Sequence, residues 1–443
     1  MRTIGEGLLE SSQCPQCGTE IQADSRFTTW CPACDWNVDP GGPEEKTGRL
    51  EALRRTLAQR HGEKLLDTMS TETGTETGAA GASRGQRAHR DVYGALAYAV
   101  ALLIHGVTAA LFLTGIWCVV SGWGGFLMLP GLFLLLLGFA LRPRLGRLPK
   151  EEDNGVVLRR PEAPELFALI DEIAEASGTR GVNAVAVNAS INASVRTYGL
   201  RGRLLTLGLP LWESLTPEHR IALLGHELGH YSNGDTRRGL VLGSAFHSLG
   251  LWLHYVSPIA NPATAIQMIT NLAYVVPRLL LQGVLMLLDT LTLRATQRSE
   301  YLADSAAARA GSTNAAVGLM DRLLVTDSID ITLRREVNNR RLRRSGQTRG
   351  TEGEGLWEEL AAHIDSVPES EYERQRRVGA LRGHSVDSTH PPTHLRRRRL
   401  LEGAAVAGLV AADEERVGRI AGELAGARRT VAREVVRDGV DGA

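Results

Sequence analysis

Hydrophobic residues are concentrated in two zones of the chain. The first zone, residues 92–141, contains no Asp, Glu, Lys or Arg. A helix needs about 20 residues to cross the hydrocarbon of a bilayer, and uncharged runs as long as this zone are rare in soluble cores. A glycine-rich turn signal at 121–125 divides the zone. We therefore predict a transmembrane hairpin, with helices at about 95–120 and 124–141, in preference to a buried hairpin in a soluble core.

The second zone, residues 239–288, contains a single charged residue, Arg278. Proline residues near its middle divide it into segments at about 240–260 and 271–289. The first segment has the composition of a membrane span. The second contains Pro277 next to Arg278, so it is either a further span or a helix that lies in the membrane face or packs on the protein.

Basic residues flank the first hairpin on both sides. Three Arg precede it, three Arg and one Lys follow it, and the loop between its two helices carries no charge. Since basic flanks stay on the cytoplasmic side, both ends of the hairpin are expected in the cytoplasm. If the second zone also crosses twice, the chain returns to the cytoplasm before Arg294.

Composition narrows the class of protein. The 443 residues include 50 basic and 50 acidic side chains. A dedicated nucleic-acid binder carries a basic excess, so nucleic acid is not an expected partner. With 43% hydrophobic residues, the chain is too apolar for a disordered protein. Two Arg-rich stretches, 334–349 and 396–399, are interpreted as solvated surface, and the first has anionic lipid headgroups as its alternative.

Four of the five cysteines form two C-x-x-C pairs, Cys14 with Cys17 and Cys31 with Cys34. Each pair puts two thiolates on one side of a tight turn, and two pairs complete a tetrahedral, structural zinc site. Redox pairs are the alternative, but no βαβ pattern surrounds them. We predict a zinc ribbon at 1–40 with one structural Zn²⁺. Recruitment of a protein partner and capping of a site on its own chain are the roles open to it.

Three further segments have characteristic patterns. Residues 48–69 have helical apolar spacing, and residues 70–85 are mostly Thr, Gly, Ala and Ser, which predicts a flexible tether. Near the end of the chain, 409–436 again has helical spacing. We expect this tail helix to pack on the main domain or on a partner.

The strongest chemical motif lies in a helix predicted to start at Thr216-Pro217, since Thr is a fair N-cap and Pro suits the first helical position. This helix continues into H-E-L-G-H. Histidines four residues apart share one helix face, so His226 and His230 can reach one metal ion. Glu227 is then placed to take a proton from water at that ion.

A hydrolytic zinc site needs a third protein ligand. Glu300 and Asp304 share one face of a predicted helix, so one of them can bind the metal while the other supports a ligand imidazole. By itself such a pair is most often a solvated helix face. A metal-site role is favoured here because the pair follows the second apolar zone in a chain that already contains H-E-L-G-H.

Together these motifs resemble the HtpX-like membrane zinc metalloendopeptidases, a family that also includes the CAAX prenyl protease. H-E-L-G-H, an apolar hairpin and R-S-E-Y-L-A-D follow in the family's order, over about residues 90–400. The segment from Thr389 to Arg396 resembles the family's T-H-P-P-x-x-x-R. Asn192-Ala193 matches a pair that precedes the family's substrate-edge strand, which here would be 203–209.

The resemblance implies a role for each matching residue in the metal site. His226, His230 and Glu300 would be the ligands of a catalytic Zn²⁺. Glu227 would be the general base and acid, and Asp304 would support the ligands from behind.

The same resemblance assigns two residues further along the chain. His390 would stabilise the oxyanion, and Arg396 would support His390 or the substrate. For His390, a purely structural role before a rigid Pro-Pro turn is the alternative.

We therefore expect an α+β fold that is mainly helical. Its centre is an integral membrane zincin (gluzincin-like) protease domain with transmembrane helices, preceded by a small zinc ribbon. The expected organisation is a zinc ribbon at 1–40, a helix and flexible linker at 41–90, a transmembrane hairpin at 91–141, a zinc metalloprotease domain at 142–400 that includes a second apolar helical hairpin at 240–289, and a helical tail at 401–443.

The expected function is hydrolysis of peptide bonds in unfolded or membrane proteins by a multi-pass zinc metalloendopeptidase of the plasma membrane. Its catalytic domain and N-terminus would be cytoplasmic, and its partners would be protein or peptide substrates and the lipid bilayer. One alternative is a membrane-tethered zinc-ribbon scaffold with a vestigial protease domain, although an idle site need not keep a full ligand set. The other is a prenyl-protein processing protease, which would need a long enclosed chamber.

Overall fold

The computed structural model describes residues 9–40, 60, 62–63, 65–66, 92–143, 155–199, 202–232, 235–343, 353–382 and 390–440. Of the helix predicted at 48–69 it describes five residues, all helical, and the predicted tether at 70–85 lies outside the described residues. The chain divides into two compact units. The first comprises Met1–Thr75, Leu148–Asn233 and Gln297–Ala443, and the second comprises Glu76–Arg147 and Gly234–Thr296.

The described strands, in chain order, are β1 (Leu9–Gln13), β2 (Glu20–Asp24), β3 (Val156–Leu158), β4 (Ala184–Asn188), β5 (Ala193–Tyr198) and β6 (Gly202–Gly208). The described helices are α1 (Val92–Ser121), α2 (Met128–Leu141), α3 (Pro164–Ala176), α4 (Leu209–Glu213), α5 (Pro217–Ser232), α6 (Asp235–Tyr255), α7 (Ala265–Gly311), α8 (Thr313–Leu324), α9 (Thr326–Arg343), α10 (Leu356–Asp365), α11 (Glu369–Arg382), α12 (Thr393–Glu402) and α13 (Glu414–Asp438). The predicted, mainly helical α+β fold is confirmed.

The first unit contains a four-stranded sheet in the order β3-β4-β6-β5. Strands β4 and β6 are parallel, with Ala184 opposite Leu204. Strand β5 runs antiparallel to β6, with Val195 opposite Leu205, and no strand of the described part of the chain pairs with its outer side. The sheet therefore ends in β5.

The prediction that residues 203–209 form the edge strand is wrong, because β6 covers nearly all of these residues and pairs with a strand on each side. Its apolar side chains Leu204, Leu205 and Leu207 are buried, as suits an internal strand. Strand β5 instead has the exposed polar residues Ser194 and Arg196, which are typical of a strand facing solvent.

The core of the first unit joins this sheet to several helices. Helix α5 packs against α3, α8 and β5, and α13 packs against α3, β3 and β4. Ile170, Val185, Leu224, Leu319 and Leu424 are among the buried residues that fill the interior between them. The tail helix therefore packs on its own domain, which is one of the two roles we expected for it.

In the second unit, α1 and α2 pack closely and α6 packs against both. Glycines permit the close approach of the first pair. A Cβ added to Gly131 would lie 2.9 Å from the Cβ of Cys118, and one added to Gly115 would lie 3.0 Å from the backbone N of Leu135. The second apolar hairpin, expected inside the protease domain, thus belongs to the same unit as the first.

Two of the described helices are long and apolar enough to cross a membrane, Val92–Ser121 and Ala265–Leu293, while α2 is apolar but shorter. The first of these covers the span predicted at 95–120. The second covers 271–289, for which a span was one of two alternatives. Helix α6 is not one of them, although we expected a span at 240–260. Its sequence is interrupted by polar residues: Ser244, His247, Ser248 and His254.

At the start of the described chain, β1 and β2 form an antiparallel hairpin with Ser11 opposite Gln22. A turn-rich segment follows and lies against α11, where the Trp30 indole N–H donates to the Ser370 carbonyl at 3.2 Å. The predicted ribbon region is therefore in contact with the first unit's main body.

Candidate active site

Helix α5 positions two histidines on one face. It begins at Pro217, and the Thr216 hydroxyl accepts from the His219 N–H at 3.4 Å, in the capping position that the sequence predicts. One turn apart, the rings of His226 and His230 meet edge to face with centroids 4.9 Å apart. The helical spacing of the motif thus brings both imidazoles together.

Glu300, towards the C-terminal end of α7, completes the cluster. Its Oε2 lies 3.5 Å from Nε2 of His226, and its Oε1 lies 3.7 Å from Nε2 of His230. With one ligand atom taken from each residue, all three atoms lie within 4.8 Å of one another. Of the two acidic residues considered for a third ligand, Glu300 is the one that faces both histidines.

The donor set fits a zinc ion. Two imidazole nitrogens and one carboxylate form a His₂Glu set, which in catalytic zinc sites leaves a fourth position open. Ligands about 2.1 Å from one tetrahedral ion are about 3.4 Å apart, close to the separations found here. Oε2 of Glu300 is also buried, and no donor in the described part of the chain is aligned to hydrogen-bond it. A buried carboxylate oxygen of this kind suits a cation.

Asp304 and Arg396 hold His226 from behind. Oδ1 of Asp304 lies 3.0 Å from Nδ1 of His226, which leaves Nε2 of the ring directed to Glu300. Arg396 donates from Nε and Nη2 to the Asp304 carboxylate at 2.9 and 2.6 Å. Burial alone would raise the pKa of Asp304, but the Arg396 guanidinium outweighs it and holds that pKa well below its usual range.

The protonation states of the cluster suit metal binding. Burial lowers the pKa of His230 to about 4, so its imidazole is neutral at pH 7. Burial opposes ionisation of Glu300, but His226 and His390 outweigh it and lower the pKa of Glu300 to about 2. Burial also opposes protonation of His226, yet Asp304 and Glu300 raise its pKa to about 9. A metal would therefore displace one proton from His226 as it binds.

Glu227 differs from the ligands in its charge state. It is buried, and burial raises its pKa from 4.5 to about 7 even though His226 and His390 favour its charged form. A carboxylate whose pKa lies near neutrality can both accept and return a proton at physiological pH.

His390 enters the site from the segment before α12. Its Nε2 lies 3.2 Å from Oε2 of Glu300, and its ring stacks on that of His226 with centroids 6.2 Å apart. The structure thus brings together seven of the residues singled out in the sequence: His226, Glu227, His230, Glu300, Asp304, His390 and Arg396.

In a comparison with protein-family models, residues 161–404 match the model described as Peptidase family M48. The match covers more than half of the chain and contains all seven residues. This chain belongs to peptidase family M48. The family resemblance found in the sequence is therefore confirmed, and this region is a metallopeptidase domain. Neither the comparison with curated proteins nor that with solved structures gives a match.

Within the M48 domain, the two glycines of α5 decide how closely α7 can approach. A Cβ added to Gly229 would lie 2.9 Å from the Cβ of Ala306 and 3.0 Å from the Cα of Ala303. One added to Gly225 would lie 2.7 Å from the Cβ of Ala310. This glycine–alanine contact, which sequence reasoning missed, sets the distance between the histidines and Glu300. The sequence feature that could have indicated this contact is the pair of glycines, four residues apart, that precede the two histidines by one residue each.

Tyr231 ties helix α5 of the M48 domain to the edge strand β5, and sequence reasoning missed this contact too. Its hydroxyl donates to the Arg196 carbonyl of β5 at 2.9 Å. The Arg203 guanidinium lies over its ring, 4.3 Å from the centroid. The residue lies next to His230, so the position of the strand and that of a ligand are linked.

The pair Asn192-Ala193 lies at the start of β5, the edge strand of the M48 sheet. The Asn192 carbonyl accepts from the Gly208 N–H of β6 at 2.9 Å. Backbone groups alternate along an antiparallel strand, so those of Ala193, Val195 and Thr197 are directed to the open side.

Outside the M48 match, the four ribbon cysteines form a second potential metal site. Their sulfurs lie 3.7 Å apart in Cys14 and Cys34, and 3.6 Å apart in Cys17 and Cys31. Thiolates about 2.3 Å from one tetrahedral zinc are about 3.8 Å apart. The four sulfurs therefore fit a closed zinc site.

Proposed function

We propose that this M48 protein is a membrane-bound zinc metalloendopeptidase that cleaves unfolded or membrane protein substrates. The observation that carries the proposal is the burial of Glu227 beside a complete His₂Glu set. A scaffold needs no proton acceptor with a pKa of about 7 next to a cation site. The metal-ligand set and the carboxylate together suit hydrolysis.

In the proposed mechanism His226, His230 and Glu300 hold Zn²⁺, which when bound supplies the Lewis acidity that makes water a nucleophile at neutral pH. Glu227 takes a proton from the attacking water on Oε1 or Oε2 and returns it to the leaving amine. Burial raises the pKa of Glu227, which makes its carboxylate a stronger base than an exposed one.

His390 and Arg396 have separate roles in this proposal. The Nε2 of His390 is close enough to Glu300 to reach the same reaction centre, where it would donate to the developing oxyanion. Arg396 is buried and paired with Asp304, so it acts through Asp304 by fixing the ring of His226.

The substrate would bind as an extended strand beside β5. The outward backbone groups of Ala193, Val195 and Thr197 offer hydrogen bonds that do not depend on the substrate's side chains. Such binding requires a segment with free backbone groups, which folded proteins rarely present. This supports unfolded chains as the substrate class.

We further propose that the helices of the second unit lie in the plasma membrane. Large apolar side chains cover their outer surfaces, for example Leu103, Phe133 and Leu272. The basic flanks of the first hairpin support a cytoplasmic location for the N-terminus and the M48 domain. The ribbon cysteines would hold a second, structural Zn²⁺.

The decisive experiment compares the detergent-purified wild type with Glu227→Gln for zinc content and for cleavage of unfolded casein. Glu227→Gln keeps the size of the side chain but removes the proton acceptor. We expect both proteins to hold about two zinc ions per chain and only the wild type to cleave. Equal cleavage by both would exclude Glu227 as the base. Two zinc ions without cleavage in the wild type would favour the scaffold function.

A further inference from the structure

We infer that the zinc ribbon is a docking module for its own chain, which holds helix α11 and through it the helix that carries Arg396. The second C-x-x-C pair, Cys31 with Cys34, is called the second knuckle, and α11 is the helix that packs against the segment around it. This inference rests on the proposed structural zinc, and it makes the catalytic site depend on a second metal.

The contacts come from the segment around the second knuckle. The Trp30 indole N–H donates to the Ser370 carbonyl at 3.2 Å. Nη1 of Arg377 donates to the Pro32 carbonyl at 2.8 Å and to the Asp35 carboxylate at 2.6 Å, while its guanidinium lies 4.9 Å from the centroid of the Trp30 ring. Helix α11 therefore contacts the Trp30 indole both at its N–H and at its ring.

A buried ion pair lies at this contact. Arg374 and Glu371 of α11 are 9% and 4% exposed. Arg374 donates from Nε and Nη2 to the Glu371 carboxylate at 2.8 and 2.7 Å, and its Nη1 donates to the Val38 carbonyl of the ribbon at 2.9 Å. The Val38 carbonyl therefore satisfies a guanidinium nitrogen that Glu371 does not reach, in a contact from which water is largely excluded.

The metal is what gives this segment its shape. Cys31 and Cys34 lie between the docking residues, and Cys31 N–H donates to the Trp36 carbonyl at 3.0 Å. Asp35 and Asn37 have φ of 59° and 57°, in the left-handed region. The ribbon's apolar cluster is very small, so four sulfur ligands on one ion would supply most of the free energy that holds the turn.

A short chain of ion pairs connects α11 to the catalytic site. Asp321 of α8 accepts from Nη2 of Arg376 on α11 at 2.9 Å and from Nε of Arg397 on α12 at 2.8 Å. Arg397 is the neighbour of Arg396, whose guanidinium is paired with Asp304 behind His226. Displacement of α11 would therefore loosen the support of a zinc ligand.

Two full-length variants in detergent test the inference. Cys31→Ser with Cys34→Ser removes the second knuckle's thiolates, whereas Trp30→Ala with Arg377→Ala removes docking contacts and keeps all four cysteines. The control is Glu20→Ala with Arg433→Ala, which alters exposed positions on the ribbon and on α13 whose hydrogen bonds are to Ser11 and to the Arg429 carbonyl. Zinc content, backbone hydrogen exchange and the rate at which a chelator removes the catalytic zinc are measured on each.

In both test variants, amides of α11 should exchange roughly tenfold faster or more, while those of α13 keep their protection. The catalytic zinc should leave on the order of tenfold faster. The cysteine variant alone should hold one zinc fewer. The control should match the wild type in every readout.

Unchanged exchange in α11 for the Trp30→Ala/Arg377→Ala variant would overturn the docking module, whatever the casein assay gives. Faster exchange without faster loss of the catalytic zinc would overturn the link to Arg396. An unchanged zinc count in the cysteine variant would overturn the metal dependence.

Discussion

At the scale of single residues, the buried arginine behind the metal site matters most for stability. Arg396 is 1% exposed and Asp304 is fully buried, so each has given up its hydration and depends on the other. Removal of one partner of such a pair leaves an uncompensated buried charge, which is much worse than losing both.

Arg396→Met should lower the free energy of unfolding by about 3–5 kcal/mol, because the buried carboxylate of Asp304 would lose the guanidinium and keep only the His226 imidazole beside it. The double variant Arg396→Met/Asp304→Leu should recover part of that loss. Denaturant unfolding in detergent measures both. The matched control is Arg398→Met, whose side chain is exposed and pairs with Glu402 of the same helix, and which should cost less than about 0.5 kcal/mol. A cost for Arg398→Met equal to that for Arg396→Met would rule out this explanation.

Glu227 should make the metal-free protein less stable as the pH rises. Its pKa is about 7 when folded and near 4.5 when unfolded, so the folded state holds more protons between these values. Stability contributed by this group is full below about pH 4.5 and is lost as the pH rises through about 7. The loss is about 3 kcal/mol at most.

In the metal-free state, Glu227→Gln should therefore unfold at a higher temperature than the wild type at pH 8, and the two midpoints should converge at pH 5. The amide has no proton to lose, which is the reason for the difference. Bound zinc should narrow the gap at pH 8, since a cation favours the carboxylate of the wild type. The same gap at both pH values would contradict the proton linkage.

At the scale of secondary-structure elements, the distance between α5 and α7 is short because α5 has glycines where the two helices meet. Gly225 and Gly229 let the helices approach until glycine faces alanine. This contact holds Glu300 at the distance where its carboxylate reaches both histidines. The geometry of the metal site is therefore a property of two helices and their small residues.

Gly229→Ala should lower zinc affinity by about tenfold or more and should also lower stability, because the new methyl group meets the backbone of Ala303 at 3.0 Å. Gly422→Ala is the matched control: it lies in α13, where an added Cβ meets nothing within 4 Å, so it should stabilise by about 0.5–1 kcal/mol. Zinc titration and thermal unfolding of both variants decide the matter. Unchanged zinc affinity in Gly229→Ala would refute a spacing role.

Local features of these elements were predictable from sequence and non-local ones were not. The start of α5 follows from Thr216-Pro217, because capping depends on neighbours in the chain. The paired positions of His226 and His230 follow from helical periodicity. Which strand ends the sheet does not, since β6 enters between β4 and β5, and that order depends on contacts across the whole unit.

The candidate membrane spans follow the same division. Length and lack of charge indicate α1 as a candidate span, because such a run can be recognised without knowing its neighbours in space. Length and lack of charge did not show whether α6 or α7 is the better candidate for a membrane span. Pro277 lies inside α7 without ending it, whereas a proline usually marks a helix boundary.

At the scale of the whole molecule, the tail completes the first unit. Helix α13 buries Ile420, Leu424, Val431 and Val435 against it. The carboxylate of Glu423 also accepts from two backbone N–H groups at the start of α3, at 2.8 and 2.9 Å. These contacts close the core from outside the segment that matches the M48 family.

Truncation after residue 412 should therefore prevent the first unit from folding stably. Four buried aliphatic side chains contribute about 1.5–3 kcal/mol each, which together is comparable to a domain's entire stability. Size-exclusion chromatography and limited proteolysis of the detergent extract measure the effect, and removal of 441–443 alone serves as the control. A truncated protein that remains monodisperse and resistant to proteolysis would refute the role of α13.

The docking of the ribbon on α11 has a consequence for the order in which the protein is made. Trp30 and Ser370 are 340 positions apart in the chain. At about 5–20 residues per second, the ribosome releases the ribbon roughly 20–70 s before its acceptor helix exists. During that interval the Trp30 indole lacks its contact with α11. If the ribbon binds zinc as proposed, zinc bound at this stage would keep the four cysteines in the conformation that α11 meets later.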